Sequence, residues 1–114
     1  MDDVLNLKGL PGKTRGEDIM AGKITFPVAR AMGLLKSEKE RRELWDTIRA
    51  KPDDHKVVDD VIKKITDCGG LQQSTDLADS MVEEAWNKLN PVIPDSYYKL
   101  MLRAFGFFVL QRHY

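Results

Sequence analysis

The chain of 114 residues is 42% hydrophobic, and its 18 Lys and Arg equal its 18 Asp and Glu, so the formal net charge is zero. A net charge of zero excludes a global electrostatic field that would attract nucleic acid. A single cysteine excludes an internal disulfide framework. No apolar run approaches the roughly 18 residues of a membrane span. Because the chain also starts acidic where a secretion signal is basic, the sequence predicts a cytoplasmic protein with one helical segment over residues 1–114.

Two acidic residues at the start of the chain are followed by two lysines. Residues 2–7 are predicted to end a helix, and residues 8–16 to form a loop, because the latter include three glycines and a proline. The adjacent carboxylates of Asp2 and Asp3 suit a hard cation such as Mg²⁺. Lys13 and Lys23 each follow a glycine and suit the phosphate group that such a cation carries. This order predicts half of a metal–diphosphate site.

The next two helices are marked by their termini. The first is predicted from near Thr25 to residue 32, with Pro27 in its first turn, and Gly33 is predicted to end it. Ser37 and Glu40 have the spacing of a capping box at the start of the second. The apolar face of that second helix is predicted to contain Leu44, Trp45 and Ile48.

Three later helices follow from apolar spacing. After a break at residues 51–54, valines and isoleucines recur at helical intervals up to the pair Gly69-Gly70. A wide apolar stripe from Leu77 to Leu89 predicts the next helix, and its acids are expected to form a solvated face. Asp95 or Ser96 is predicted to cap the last helix.

The last helix is apolar nearly all round, so it is expected to be buried on several sides. Its phenylalanines, with Trp45 and Trp86, are predicted core residues, and Cys68 is expected to be buried rather than reactive. No segment alternates with period two, so the predicted architecture is an all-α helix bundle. The broad apolar faces predict a homodimer, a domain swap, or docking to helices that precede this segment.

Residues 2–27 resemble the second aspartate-rich region of the trans-isoprenyl diphosphate synthases. That pattern is DDxxD, a short loop, GKxxGxD and then GKxTxP before a helix; here it reads as Asp2-Asp3 with Asn6, Gly12-Lys13 to Asp18, and Gly22-Lys23 to Pro27. The remaining helices resemble the C-terminal part of the same fold more loosely. The chain departs from the pattern at Asn6, where the motif has an acid, and it has no counterpart of the family's first aspartate-rich motif.

The resemblance implies a prenyltransferase that condenses isopentenyl diphosphate with an allylic diphosphate. Asp2 and Asp3 would then hold Mg²⁺, Asn6 would orient a water on that metal, and Lys13 and Lys23 would contact diphosphate. The chain would be the C-terminal third of such an enzyme and would be inactive alone, because one metal cluster cannot bring about ionisation. Product length and allylic substrate do not follow from these residues.

Two alternatives stay open at this point. The chain could be a non-catalytic helical subunit that docks on a full-length prenyl synthase through its apolar faces. It could also be an unrelated helical protein that meets the pattern by chance.

Overall fold

The computed structural model describes residues 2–110, and this part of the chain is 72% helical with no strands, which confirms the all-α prediction. Its seven helices are α1 (Asp2–Lys8), α2 (Glu17–Met20), α3 (Phe26–Leu34), α4 (Glu38–Arg49), α5 (His55–Asp67), α6 (Gly70–Leu89) and α7 (Tyr97–Leu110). Within residues 2–110, no helix combines the length and apolarity needed to cross a membrane.

Helix α3 is the centre of the packing, because α1, α5 and α6 all lie against it. Val28 and Ala31 on α3 are completely buried, and Pro27 is buried at the start of the helix, where its missing N–H costs little. The core around α3 consists of apolar side chains from α1 to α5: Leu7, Ile19, Val28, Ala31, Leu35, Leu44, Ile48, Val58, Val61, Ile62 and Ile65.

Helices α4 and α5 bury one apolar stripe each, as their sequence spacing predicts. Leu44 and Ile48 are four residues apart and buried, whereas Trp45 is 46% exposed. The prediction that Trp45 belongs to the core is therefore wrong, because one residue step rotates it about 100° away from the buried stripe. Asp54 caps α5 by accepting a hydrogen bond from the Lys56 N–H at 2.9 Å.

Two predicted helix ends need correction. Gly33 does not end α3; the helix continues to Leu34, and the extended backbone of Leu35 follows it. This happens because Leu35 turns into the core, where it is 9% exposed. Ser37 occupies the N-cap position of α4, but its side chain makes no capping hydrogen bond, so the predicted capping box does not form.

Helices α6 and α7 are far less buried than the sequence predicts. Of α6, only Gly70 and Ser74 are buried, and α7 has no buried residue. The expectations that α7 is buried on several sides and that its phenylalanines are core residues are wrong, since Phe105 is 60% exposed. The reason is that α7 has one main packing partner, α6, and α6 uses its first turns to pack on α3 and α5.

Two other residues predicted to be buried are half-buried. Trp86 lies beneath the Arg103 guanidinium, whose carbon is 5.1 Å from the ring centroid. The Cys68 thiol donates a hydrogen bond to the Ile65 carbonyl at 3.3 Å. Ser96, one of the two predicted caps, accepts a hydrogen bond from the Lys99 N–H at 3.3 Å at the start of α7.

A substitution pair tests the close approach of α3 and α6. A Cβ on Gly70 would lie 2.9 Å from the Ala31 Cβ and 3.1 Å from its backbone, whereas a Cβ on Gly33 would meet nothing within 4 Å. We expect Gly70→Ala to lower the free energy of unfolding by about 1–3 kcal/mol through overpacking. The control Gly33→Ala should raise it by about 0.5–1 kcal/mol, because alanine favours helix. Urea denaturation measures both; equal effects would contradict the packing described here.

Candidate functional site

A pocket of about 210 Å³ lies between α1, the following loop and α2. Its lining combines carboxylate and amide oxygens with one amine: Asp2, Leu5, Asn6, Leu10, Lys13, Thr14, Glu17 and Asp18. Asp2 and Asn6 are four residues apart on α1, so they share one helix face. The loop brings Lys13 to the same place from the other side.

The loop is fixed to α1 by two hydrogen bonds that α1 backbone carbonyls accept. The Arg15 Nε donates a hydrogen bond to the Leu7 carbonyl at 2.8 Å, and the Gly16 N–H donates to the Asn6 carbonyl at 3.0 Å. Gly16 is buried with a φ of 78°, and a Cβ there would lie 2.5 Å from Val58. Only glycine combines this left-handed backbone with such close contact to α5.

Asn6 links α1 to α2 through its side chain. Its Oδ1 accepts a hydrogen bond from the Asp18 N–H at 3.2 Å. Asp18 in turn pairs with Lys23, whose Nζ lies 3.3 Å from the Asp18 Oδ1, and the Lys23 N–H donates to the Asp18 carbonyl at 3.0 Å. The neutral amide holds α2 without adding a negative charge to a pocket that already contains three carboxylates.

The structure brings three of the five predicted site residues into one pocket. Asp2, Asn6 and Lys13 line it, whereas Asp3 and Lys23 do not. Asp3 is half-exposed one step round α1, and the Lys23 side chain, 66% exposed, is paired with Asp18. The metal and diphosphate roles of these five residues continue as proposals.

The sequence prediction did not include α2 as a helix and gave its two acids no place in the site. Glu17 and Asp18 form the first turn of this four-residue helix, and both line the pocket. Two acids directly after a glycine are a helix-start signal that could have predicted this turn.

The oxygen atoms of the pocket suit a cation that is coordinated partly by the protein and partly by a bound ligand. Residues 2–110 contain no group of three His, Cys, Asp or Glu side chains placed to hold a metal ion by themselves. Mg²⁺ is commonly held by one or two carboxylates together with substrate phosphates and waters. The Asp2 carboxylate and the Asn6 amide on one helix face, with Lys13 opposite, fit such shared binding better than a protein cage.

One curated protein resembles the chain along its length. The chain is 29% identical over 116 residues to a geranylgeranyl diphosphate synthase of Methanosarcina mazei, and the alignment covers 99% of this chain and 33% of that protein. The chain therefore spans about a third of the length of this relative. No protein-family model and no solved structure matches the chain. The similarity supports a prenyl-synthase-like relationship and a prenyltransferase-related function.

The link between Asn6 and α2 can be measured directly. We expect Asn6→Ala to lower the free energy of unfolding by about 1 kcal/mol, because the Asp18 N–H loses its acceptor. Asn87→Ala, at an exposed position of α6, is the matched control and should change stability by less than about 0.5 kcal/mol. Equal values for the two variants in urea denaturation would show that the link contributes nothing.

Proposed function

We propose that this chain is the part of a trans-prenyltransferase that binds magnesium and diphosphate. The reaction would condense isopentenyl diphosphate with an allylic diphosphate, with Mg²⁺ as the cofactor. The observation that supports this most is the pocket in which Asp2, Asn6 and Lys13 meet, within a chain similar throughout its length to part of a geranylgeranyl diphosphate synthase.

In this proposal each residue has a distinct task. Asp2 and Asp3 bind Mg²⁺, and the Asn6 side chain is the nearby neutral oxygen that orients a water on it. Bound Mg²⁺ would stabilise the negative charge that develops on the departing diphosphate. Lys13 donates hydrogen bonds to diphosphate oxygens from the opposite side of the pocket, where a fixed cation favours the charge of the leaving group.

Lys23 needs a change of partner before it can bind diphosphate. In the structure its amine is paired with Asp18 at 3.3 Å. The Lys23 side chain of this pair is mostly exposed to solvent. The ion pair therefore contributes little stability, and Lys23 can leave Asp18 for another anion at low cost. A diphosphate with two or more charges is a stronger partner for the amine than one carboxylate.

The other groups of a complete active site would come from residues outside these 114. The family pattern includes a first aspartate-rich motif, which this chain does not contain. Two further predictions stay predictions: that the protein is cytoplasmic, and that residues 1–114 form one helical segment.

A second candidate function is a non-catalytic helical subunit of a prenyl synthase. The exposed apolar side chains of α7, such as Leu100 at 67%, favour a role in which this chain docks on other helices. Binding of magnesium pyrophosphate separates the candidates, because a purely docking subunit has no need of it.

The first prediction for the site concerns Lys13. In the presence of Mg²⁺ we expect Lys13→Gln to raise the dissociation constant of pyrophosphate about tenfold. This value is at the lower end of the range for a hydrogen bond between charged groups, because Lys13 is exposed to solvent. Isothermal titration calorimetry measures the dissociation constant. The matched control is Lys36→Gln, an exposed lysine between α3 and α4, which should bind as tightly as the unchanged chain.

Lys23 is tested by its reactivity rather than by removal. With Mg²⁺ and pyrophosphate together, we expect both Lys13 and Lys23 to be protected from amine-modifying reagents, whereas Lys36 keeps its reactivity. Mass spectrometry of peptides gives the modification of each lysine. Protection of Lys13 alone would remove Lys23 from the site, and uniform reactivity would refute the diphosphate proposal.

A third prediction concerns catalysis by the 114 residues alone. We expect no detectable condensation of isopentenyl and allylic diphosphates, because a single metal cluster does not supply the charge needed for ionisation. Radiolabelled isopentenyl diphosphate provides the assay. Steady turnover by the purified chain would show that the site is complete without the first motif.

A further inference from the structure

Asn6 is held in place by two hydrogen bonds within the chain. Its backbone carbonyl accepts from the Gly16 N–H at 3.0 Å, and its side-chain Oδ1 accepts from the Asp18 N–H at 3.2 Å. Its neighbours Leu5 and Leu7 are buried, and Asn6 itself is half-buried. A ligand would therefore meet an amide whose position is already fixed, so that little ordering is needed on binding.

The hydrogen bond from Asp18 identifies the two end atoms of the Asn6 amide. A backbone N–H can only donate, so the Asn6 atom that lies 3.2 Å away must be the oxygen. Within residues 2–110 no group accepts a hydrogen bond from the remaining atom, the Nδ2. Among the same residues no side-chain nitrogen is both buried and unpaired. The Nδ2 is therefore open to solvent, on a residue that lines the pocket.

The Asn6 Nδ2 can only donate hydrogen bonds. Its lone pair is delocalised into the carbonyl group, so it cannot coordinate Mg²⁺, which takes oxygen ligands. A water bound to Mg²⁺ is also a poor acceptor, because its lone pair is directed at the metal. The acceptor that suits the Nδ2 is an anionic oxygen of a ligand, and such charge-assisted hydrogen bonds are about twice as strong as neutral ones.

The charges that line the pocket explain why a neutral donor matters there. Three carboxylates line the pocket together with one amine: Asp2, Glu17, Asp18 and Lys13. An aspartate in place of Asn6 would add a fourth carboxylate, one helical turn from Asp2. The amide instead adds hydrogen-bond donors without charge, on the side of the pocket opposite Lys13.

We propose that Asn6 is a diphosphate-binding residue, whose Nδ2 donates a hydrogen bond to a diphosphate oxygen across the pocket from Lys13. Its Oδ1 keeps the hydrogen bond from Asp18 and has a second lone pair for the water on Mg²⁺. Where the family pattern has an acid, this chain has a contact to the anion in place of a negative charge. This inference rests on the proposed function, because it names a further contact to the same diphosphate.

The side-chain amide signals of the unchanged chain test this contact. The chain has three asparagines, Asn6, Asn87 and Asn90, and each contributes one NH₂ pair to a nitrogen-resolved NMR spectrum. When pyrophosphate is added at saturating Mg²⁺, one proton of the Asn6 pair should move downfield, whereas the Asn87 pair should stay in place. Mg²⁺ alone should leave the Asn6 pair nearly unchanged, because the Nδ2 does not coordinate the metal.

The variant Asn6→Asp removes the donor and keeps the acceptor. A carboxylate can still accept from the Asp18 N–H, so the helix content and the unfolding midpoint should stay close to those of the unchanged chain. At saturating Mg²⁺ the dissociation constant of pyrophosphate should rise at least about tenfold, because a charge-assisted hydrogen bond is lost. Asn87→Asp, at an exposed position of α6, is the matched control and should bind as the unchanged chain does.

Salt dependence separates the lost donor from the added charge of Asn6→Asp. Salt screens the repulsion between solvent-exposed charges, but it does not supply a hydrogen bond. The ratio of the dissociation constants of the variant and the unchanged chain should therefore remain near tenfold at about 1 M salt. A ratio that falls to one would overturn the proposal, because the added charge alone would then account for the variant.

Two further outcomes would overturn this inference and leave the proposed function standing. In the first, calorimetry detects pyrophosphate binding while the Asn6 NH₂ pair does not move, so that the anion binds without this amide. In the second, Asn6→Asp binds pyrophosphate as tightly as the unchanged chain or more tightly. Absence of any binding heat with the unchanged chain would instead refute the diphosphate proposal, and this inference with it.

Discussion

The burial of α3 is the constraint on which the rest of the structure depends. Val28 and Ala31 are fully enclosed, and Gly70 at the start of α6 approaches Ala31 so closely that a methyl group would not fit. This contact positions α6, while Leu7 and Ile19 in the same core anchor α1 and α2. Helices as short as α1 and α2 are unstable alone. The pocket residues on them are therefore held in position by the burial of these helices against the core.

The same constraint explains why the chain has two unlike parts. The buried residues lie at or before Ser74 among those that the structure describes, and beyond that point the helices continue without a core of their own. The first part can hold a polar pocket rigidly, because Arg15, Gly16 and Asn6 connect the loop to the buried helices through hydrogen bonds. The second part presents apolar side chains outward, which is the property of a helix pair that is completed by other helices.

Sequence reasoning succeeded where one short-range rule decides the outcome. Pro27 at a helix start and the paired spacing of Leu44 and Ile48 need only local geometry. It failed for Trp45 and the phenylalanines of α7, because hydrophobicity predicts a preference for burial and cannot show whether a covering partner exists.

The site was predictable in its residue types and less so in its contacts. The order of acids and lysines indicated Asp2, Asp3, Lys13 and Lys23, and the family resemblance added Asn6. The fold brings Asp2, Asn6 and Lys13 of these into one pocket. The pairing of Lys23 with Asp18 and the hydrogen bond from the Asp18 N–H to Asn6 depend on α2, whose single turn is too short to show a periodic pattern.

The most direct test of the account is an amide NMR titration of the chain with pyrophosphate at saturating Mg²⁺. We expect the largest shifts in residues 13–18 and around Lys23, with α7 unaffected. Absence of any shift in residues 13–18, or shifts concentrated on α6 and α7, would contradict the claim that this pocket binds a magnesium-loaded diphosphate.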